Sequence, residues 1–204
     1  MSASSSRPIL WDVDTQVDFM EPAGKLYVPG ADATRHAMSR LVRAAREAGI
    51  VHVASADDHL ATDAEISGTP DFVTTYPPHC MRGTRGAKKI AETAQLEPLV
   101  FGSADLAPEQ REFLLRKQST DVFTNPNAAA LLDFLAPSEV IVFGVATDVC
   151  DHAAIVGMRD RGWNVAFVED AASGLSDERV AACTAEWRAR SVRFTTVDEV
   201  VAGW

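Results

Sequence analysis

Short apolar runs alternate with longer amphipathic stretches along this chain. Pro8–Asp14 carries Ile9, Leu10, Trp11 and Val13 and predicts a first strand, with acids gathering at its carboxyl end. Ala31–Gly49 places Met38, Leu41, Val42 and Ala45 on one stripe and predicts an amphipathic helix stopped by Gly49. Further strands are predicted over Ile50–Ser55, Phe113–Arg116, Glu139–Gly144, Asn164–Glu169 and Val192–Thr195, with a short extended piece at Pro98–Gly102. Helices are predicted over Gly86–Ala94, Asn127–Leu135, Thr147–Gly162 and Asp177–Arg190 and at the carboxyl terminus. Pro108–Glu112 reads as turn or helix, and Asp170–Ser176 as a polar loop. Strand and helix alternate throughout. That order predicts a three-layer α/β fold: a mostly parallel, Rossmann-like sheet of about six strands with helices on both faces.

Composition changes this picture little. The chain has 204 residues, 47% hydrophobic and 24% charged, as expected of one ordinary globular domain. Its formal charge of −10 argues against nucleic acid and anionic membrane surfaces as partners. Three cysteines are too few for a disulfide framework, which points to a reducing, cytoplasmic compartment. No apolar run approaches the length of a membrane span. Residues 1–7 are polar, lack the apolar core of a secretion signal, and are expected to be a disordered lead-in. A homo-oligomer is left open.

The candidate chemistry gathers at predicted strand ends. Val140–Cys150 runs from an apolar strand through Gly144 to Thr147 and Asp148, which are expected to cap the next helix. Cys150 then falls in a first helical turn, where free N–H groups and the helix dipole favour a thiolate and could receive an oxyanion. A buried, inert cysteine is the competing reading. Asp14 follows the first strand, Asp57 and His59 the second, and Lys117 the third. In a parallel sheet these ends share one edge, so an acid, an amine and a thiol converge there. Lys117 would favour the thiolate, and Asp14 could take the thiol proton and pass it to a leaving amine. The long irregular segment from Ala56 to Gly86 adds His79 between Pro78 and Cys80. Asp57, His59 and His79, with Glu65 as a fourth candidate, offer ligands for a divalent zinc, manganese or iron ion. His36, His52 and His152 are assigned to packing or surface roles.

At these residues the chain resembles a known family. Asp14-Thr15-Gln16-Val17-Asp18-Phe19 is similar to the opening motif of the isochorismatase-like cysteine hydrolases, and Gly144–Cys150 to their nucleophile turn. Ser67–Phe72 and Tyr76–Cys80, with the spacing of Asp57, His59 and His79, resemble the nicotinamidase (pyrazinamidase) branch. The resemblance implies an amidohydrolase that releases ammonia from a small carboxamide through a thioester on Cys150. Asp14 would carry the proton and Lys117 would hold the ion-pair network. The oxyanion would rest on the N–H groups of Ala146 and Cys150, beside a cis peptide between Val145 and Ala146. Phe19 and Tyr76, with Gln16, would line the substrate pocket around the metal. Two positions depart from the branch: Asp58, where an aromatic residue is usual, and Tyr76, where tryptophan is frequent. Asp58 is expected either to face solvent or to line the pocket and select a more polar or cationic amide.

Other readings compete. Ureido or carbamoyl compounds are the alternative substrates within the family. Asp12-Val13-Asp14 after a strand also suggests a magnesium-dependent phosphotransferase of the haloacid-dehalogenase type, but Gln16 does not fit that pattern. A non-catalytic relative would have no need of Asp14, Lys117 and Cys150 together.

Overall fold

The computed structural model describes residues 7–100 and 109–204. The lead-in expected over residues 1–7 lies, apart from Arg7, outside the described residues, as do Phe101, Gly102 and Pro108. Seven parallel strands form one sheet: β1 (Ile9–Val13), β2 (Val51–Asp57), β3 (Leu99–Val100), β4 (Glu112–Lys117), β5 (Val140–Val145), β6 (Val165–Ser173) and β7 (Arg193–Thr195). Their order is β3-β4-β2-β1-β5-β6-β7. The short extended piece expected near residue 100 is β3, and the described residues give seven strands, close to the expected six or so.

β1 and β5 are buried along their whole length, which suits an unbroken apolar run covered on both faces. On one face Leu10, Ile141 and Phe143 pack against α2 (Ala31–Glu47) and α6 (Val197–Ala202). The buried stripe of α2 is Ala31, Met38, Leu41, Val42 and Ala45, a helical spacing that points one side of the helix inward. On the other face Ile9, Trp11 and Val13 meet α3 (Asn127–Leu135), α4 (Cys150–Asp160) and α5 (Asp177–Ala189). A single turn, α1 (Val17–Met20), follows β1.

Three local expectations are corrected. Residues 86–94 form turns and not a helix, because their backbone groups bond across to the β1–α1 connection: Val17 N–H donates to Lys88 O, Asp18 N–H to Gly86 O, and Ile90 N–H to Thr15 O. α4 begins at Cys150, not Thr147, and its N-cap is Val149 with no side-chain cap. Thr147 and Asp148 are committed to the β6–α5 side instead: Thr147 N–H donates to Ser173 O, and Asp148 Oδ1 accepts from Leu175 N–H. β6 runs on through Asp170–Ser173, where a loop was expected, because Gly144 and Val145 continue the ladder with Ala172 and Ser173 past an irregularity in register.

Gly144 is required by this geometry. Its φ is +140°, and a Cβ there would lie 2.1 Å from Val13 O. Gly144→Ala is therefore expected to lower stability by at least ~3 kcal/mol, read as a shift in the urea midpoint.

Candidate active site

β1 lies at the point where the strand order reverses, with β2 and β4 on one side and β5 and β6 on the other. Ligand crevices of open α/β sheets form outside the strand ends at such a point. Asp57 and Lys117 are register partners that end β2 and β4, so their side chains leave the same face. Asp14 follows β1 with φ +49°, a left-handed turn that aspartate tolerates. Its N–H donates to Ser55 O at 3.3 Å, and Ser55 Oγ donates to Asp14 Oδ1 at 2.7 Å. Cys150 is the first residue of α4.

These four elements bring the acid, the amine and the thiol together. Lys117 Nζ lies 2.8 Å from Asp14 Oδ2, 2.5 Å from Asp57 Oδ1 and 3.6 Å from Cys150 Sγ. It also donates to Ser119 O at 2.9 Å, so the buried ammonium is fully engaged. Burial alone would drive Lys117 toward neutrality, but Asp14 and Asp57 reverse this and hold its pKa well above the ordinary value. For Asp57, burial opposes charge, and Lys117 with the two histidines overcomes it, keeping the carboxyl well below the usual range.

Opposing influences act on the thiol. Burial pushes Cys150 well above an ordinary thiol pKa; Lys117 pulls it down, while Asp14 and Asp57 push it up again. One lysine does not outweigh burial beside two acids. Cys150 rests as a neutral thiol and needs a proton acceptor to become a nucleophile.

Asp57, His59 and His79 present one ligand atom each within 4.8 Å of one another. His59 Nε2 is 3.6 Å and His79 Nε2 3.4 Å from Asp57 Oδ2. His79 Nδ1 bonds to Pro77 O at 2.8 Å, which orients the ring with Nε2 facing the cluster. Asp57 Oδ1 is spent on Lys117, so Oδ2 is the free ligand atom. This donor set, two imidazoles and one carboxylate with an outer partner already in place, fits a divalent ion. Glu65 lies outside the tight trio but lines the neighbouring cavity, and burial with the nearby Asp57 raises its pKa.

A cavity of about 230 Å³ opens onto Cys150, room for one small ring or short chain. Phe19, Tyr76, Asp57, His79 and Ala146 reach it, as do Val145, Val149 and Leu175. The Val145–Ala146 peptide at its wall is cis. Gln16, expected here, does not line it. Its amide clamps the backbone instead: Oε1 accepts from Asp57 N–H at 2.7 Å, and Nε2 donates to the carbonyls of Asp57 and Ala87. A primary amide matches the N–H and C=O of one residue, which anchors Asp57 and commits both Gln16 amide hydrogens to the backbone. Asp58 is also outside the cavity. It pairs with Arg82 at 2.8 Å and faces a separate hollow that Arg82 and Arg116 also line.

Several participants escaped the sequence reading. Ser55 orients Asp14, and only its place near the end of β2 hinted at this. Arg179, in the first turn of α5, lines the cavity while its Nε sits 3.1 Å from Asp148 Oδ2. Its only signal was a cation just past a strand-end loop.

Asp151, next to Cys150, is fully buried. Burial, with Asp14 and Asp12 nearby, raises its pKa well above the ordinary value, so the folded protein holds it neutral. The unfolded chain releases that proton above about pH 4, so this group makes stability fall as pH rises from there toward the folded pKa. Asp151→Asn is expected to remove the decline. Melting curves at pH 5 and pH 8 should show a smaller loss between them in the variant than in the parent.

Comparison with known proteins gives a consistent picture. A family model described as the isochorismatase domain matches residues 9–199. The nicotinamidase/pyrazinamidase of Mycobacterium tuberculosis is 32% identical over 187 residues, covering 89% of this chain and 95% of that protein. A nicotinamidase of Escherichia coli is 29% identical, covering 80% and 82%. The crystal structure of a pyrazinamidase of Pyrococcus horikoshii in complex with zinc superposes with a TM-score of 0.74 at 24% identity, over 93% of this chain and 99% of that one.

Proposed function

Because the chain belongs to the isochorismatase family, whose model spans nearly all of it, we propose that it is a nicotinamidase-like amidohydrolase of small carboxamides. The observation that carries this reading is Lys117 Nζ bridging Asp14 and Cys150 at the base of a small, mostly apolar cavity. Cys150 Sγ attacks the amide carbon while its proton passes to Asp14. The charge on the carbonyl oxygen is received by the N–H groups of Ala146 and Cys150. Asp14 then delivers the proton to nitrogen, the C–N bond breaks and ammonia leaves. A water gives its proton to Asp14 and attacks the thioester; the C–S bond breaks, Sγ recovers the proton, and a carboxylic acid is released. Lys117 stays charged throughout and offsets whichever negative centre is present.

Asp57, His59 and His79, with Glu65 as the fourth candidate, would hold a divalent zinc, manganese or iron ion beside this cavity. Bound there, the ion supplies a Lewis-acid contact for an acceptor atom of the substrate. Phe19 and Tyr76 pack against His79 at ring distances of 5.4 and 6.1 Å, a setting for a flat substrate ring.

Arg179 favours a second reading, a ureido or carbamoyl acid whose carboxylate meets the guanidinium. Ammonia release from nicotinamide and from N-carbamoylglycine separates the two. The first reading expects the larger kcat/KM for nicotinamide; preference for the carbamoyl acid establishes the second, and release from neither amide removes both.

A further inference from the structure

Phe72 stands at the cavity mouth under conditions that folding alone would disfavour. Its side chain is 58% exposed, and its backbone has φ +56°, a region costly for a bulky residue. Yet the loop that carries it is tightly built. The Asp71 carboxylate accepts from the N–H groups of Val73, Thr74 and Thr75 and from the hydroxyls of Thr74 and Thr75. Phe72 N–H donates to Thr75 O at 3.0 Å. The neck of the loop is closed by Ser67 N–H to Tyr76 O and Tyr76 N–H to Glu65 O. The strained conformation is thus held in place, and it sets the Phe72 ring edge-on to Tyr76 at 6.5 Å. Tyr76 in turn meets His79 edge-on at 6.1 Å, so rings run from the rim to the ligand trio.

We propose that Phe72 is a specificity-determining residue, the outer aromatic wall of the cavity, which selects planar aromatic amides over saturated ones of equal size. This deepens the amidohydrolase reading and rests on it. A flat ring entering beside Cys150 would cover Phe72 and repay its exposure, whereas a puckered ring cannot lie against the same surfaces. Backbone strain retained at a ligand site leads to a paired expectation: relieving it should keep stability and weaken binding.

Benzamide and cyclohexanecarboxamide share one carbon skeleton, one flat and aromatic and the other saturated and puckered, and neither carries a ring nitrogen. Their binding to Cys150→Ala protein is measured by titration calorimetry, with and without Phe72→Ala. Benzamide affinity is expected to fall about tenfold with the second substitution, and cyclohexanecarboxamide affinity less than threefold. Phe72→Gly, which relieves the φ, is expected to weaken benzamide likewise while melting no lower than the parent. Equal losses for both amides, no loss for benzamide, or no benzamide binding to Cys150→Ala overturns the proposal. The titration reads binding and not turnover, so failure of ammonia release from every amide would end the amidohydrolase reading separately.

Discussion

Cys150→Ala is expected to lower ammonia release from an amide substrate by about 10⁴-fold or more, because among the described residues Cys150 is the only thiol that lines the cavity. The remaining site is left intact. Lys117 still has Asp14 and Asp57, and the cavity keeps its apolar walls. The variant should therefore bind substrate with an affinity close to the parent's KM and melt within a few degrees of it, since only one sulfur is removed from a buried position. The split matters. Loss of turnover with retained binding places Cys150 in the chemical step, whereas loss of both would mean that the thiol mainly shapes the pocket.

Lys117→Met is expected to produce the largest loss of stability, about 3–5 kcal/mol, because it leaves two buried carboxylates without their cation. Methionine fills a similar volume, so the deficit is electrostatic and not a cavity. The pH dependence identifies it. In the parent, Asp57 is held below its ordinary pKa, so its contribution is complete above pH 4 and is lost only as pH falls toward the folded pKa. In the variant, burial without Lys117 raises the Asp57 carboxyl above its unfolded pKa, which penalises the fold as pH rises. The gap between parent and variant should therefore be wide at pH 8 and narrow at pH 5 in urea melts. Lys117→Met/Asp57→Asn should recover part of the loss at pH 8. A gap that does not change with pH would assign the effect to packing.

What the sequence disclosed, and what it withheld, follows from how far each feature depends on distant partners. β1, β5 and α2 were legible because an apolar run or a helical stripe reports burial locally. Asp14, Asp57, Lys117 and Cys150 were legible as neighbours because a parallel sheet aligns its strand ends. Residues 86–94 carry helix-favouring side chains, yet their backbone donors and acceptors are taken by Thr15, Val17 and Asp18, some seventy positions away. Gln16 looked like a pocket residue from its motif, but only the closure of β2 against the α1 turn shows its amide locked onto Asp57. The pull of burial on Cys150 was not legible, because a helix N-terminus is a local feature, whereas burial beside Asp14 and Asp57 depends on separate strands. Phe72 ends a stretch that matched the branch without any role attached to it, and Arg179 lies in no motif; the cavity gives both their meaning.

The central claim is that Cys150 takes the acyl group from an amide. Rapid quenching of the parent protein with nicotinamide, followed by intact-mass and peptide mass spectrometry, reads this directly. The account predicts an acyl adduct on the peptide containing Cys150, formed as ammonia is released and lost as the acid forms. Ammonia release at full rate with no adduct on that peptide at any quench time, and undiminished in Cys150→Ala, would contradict it.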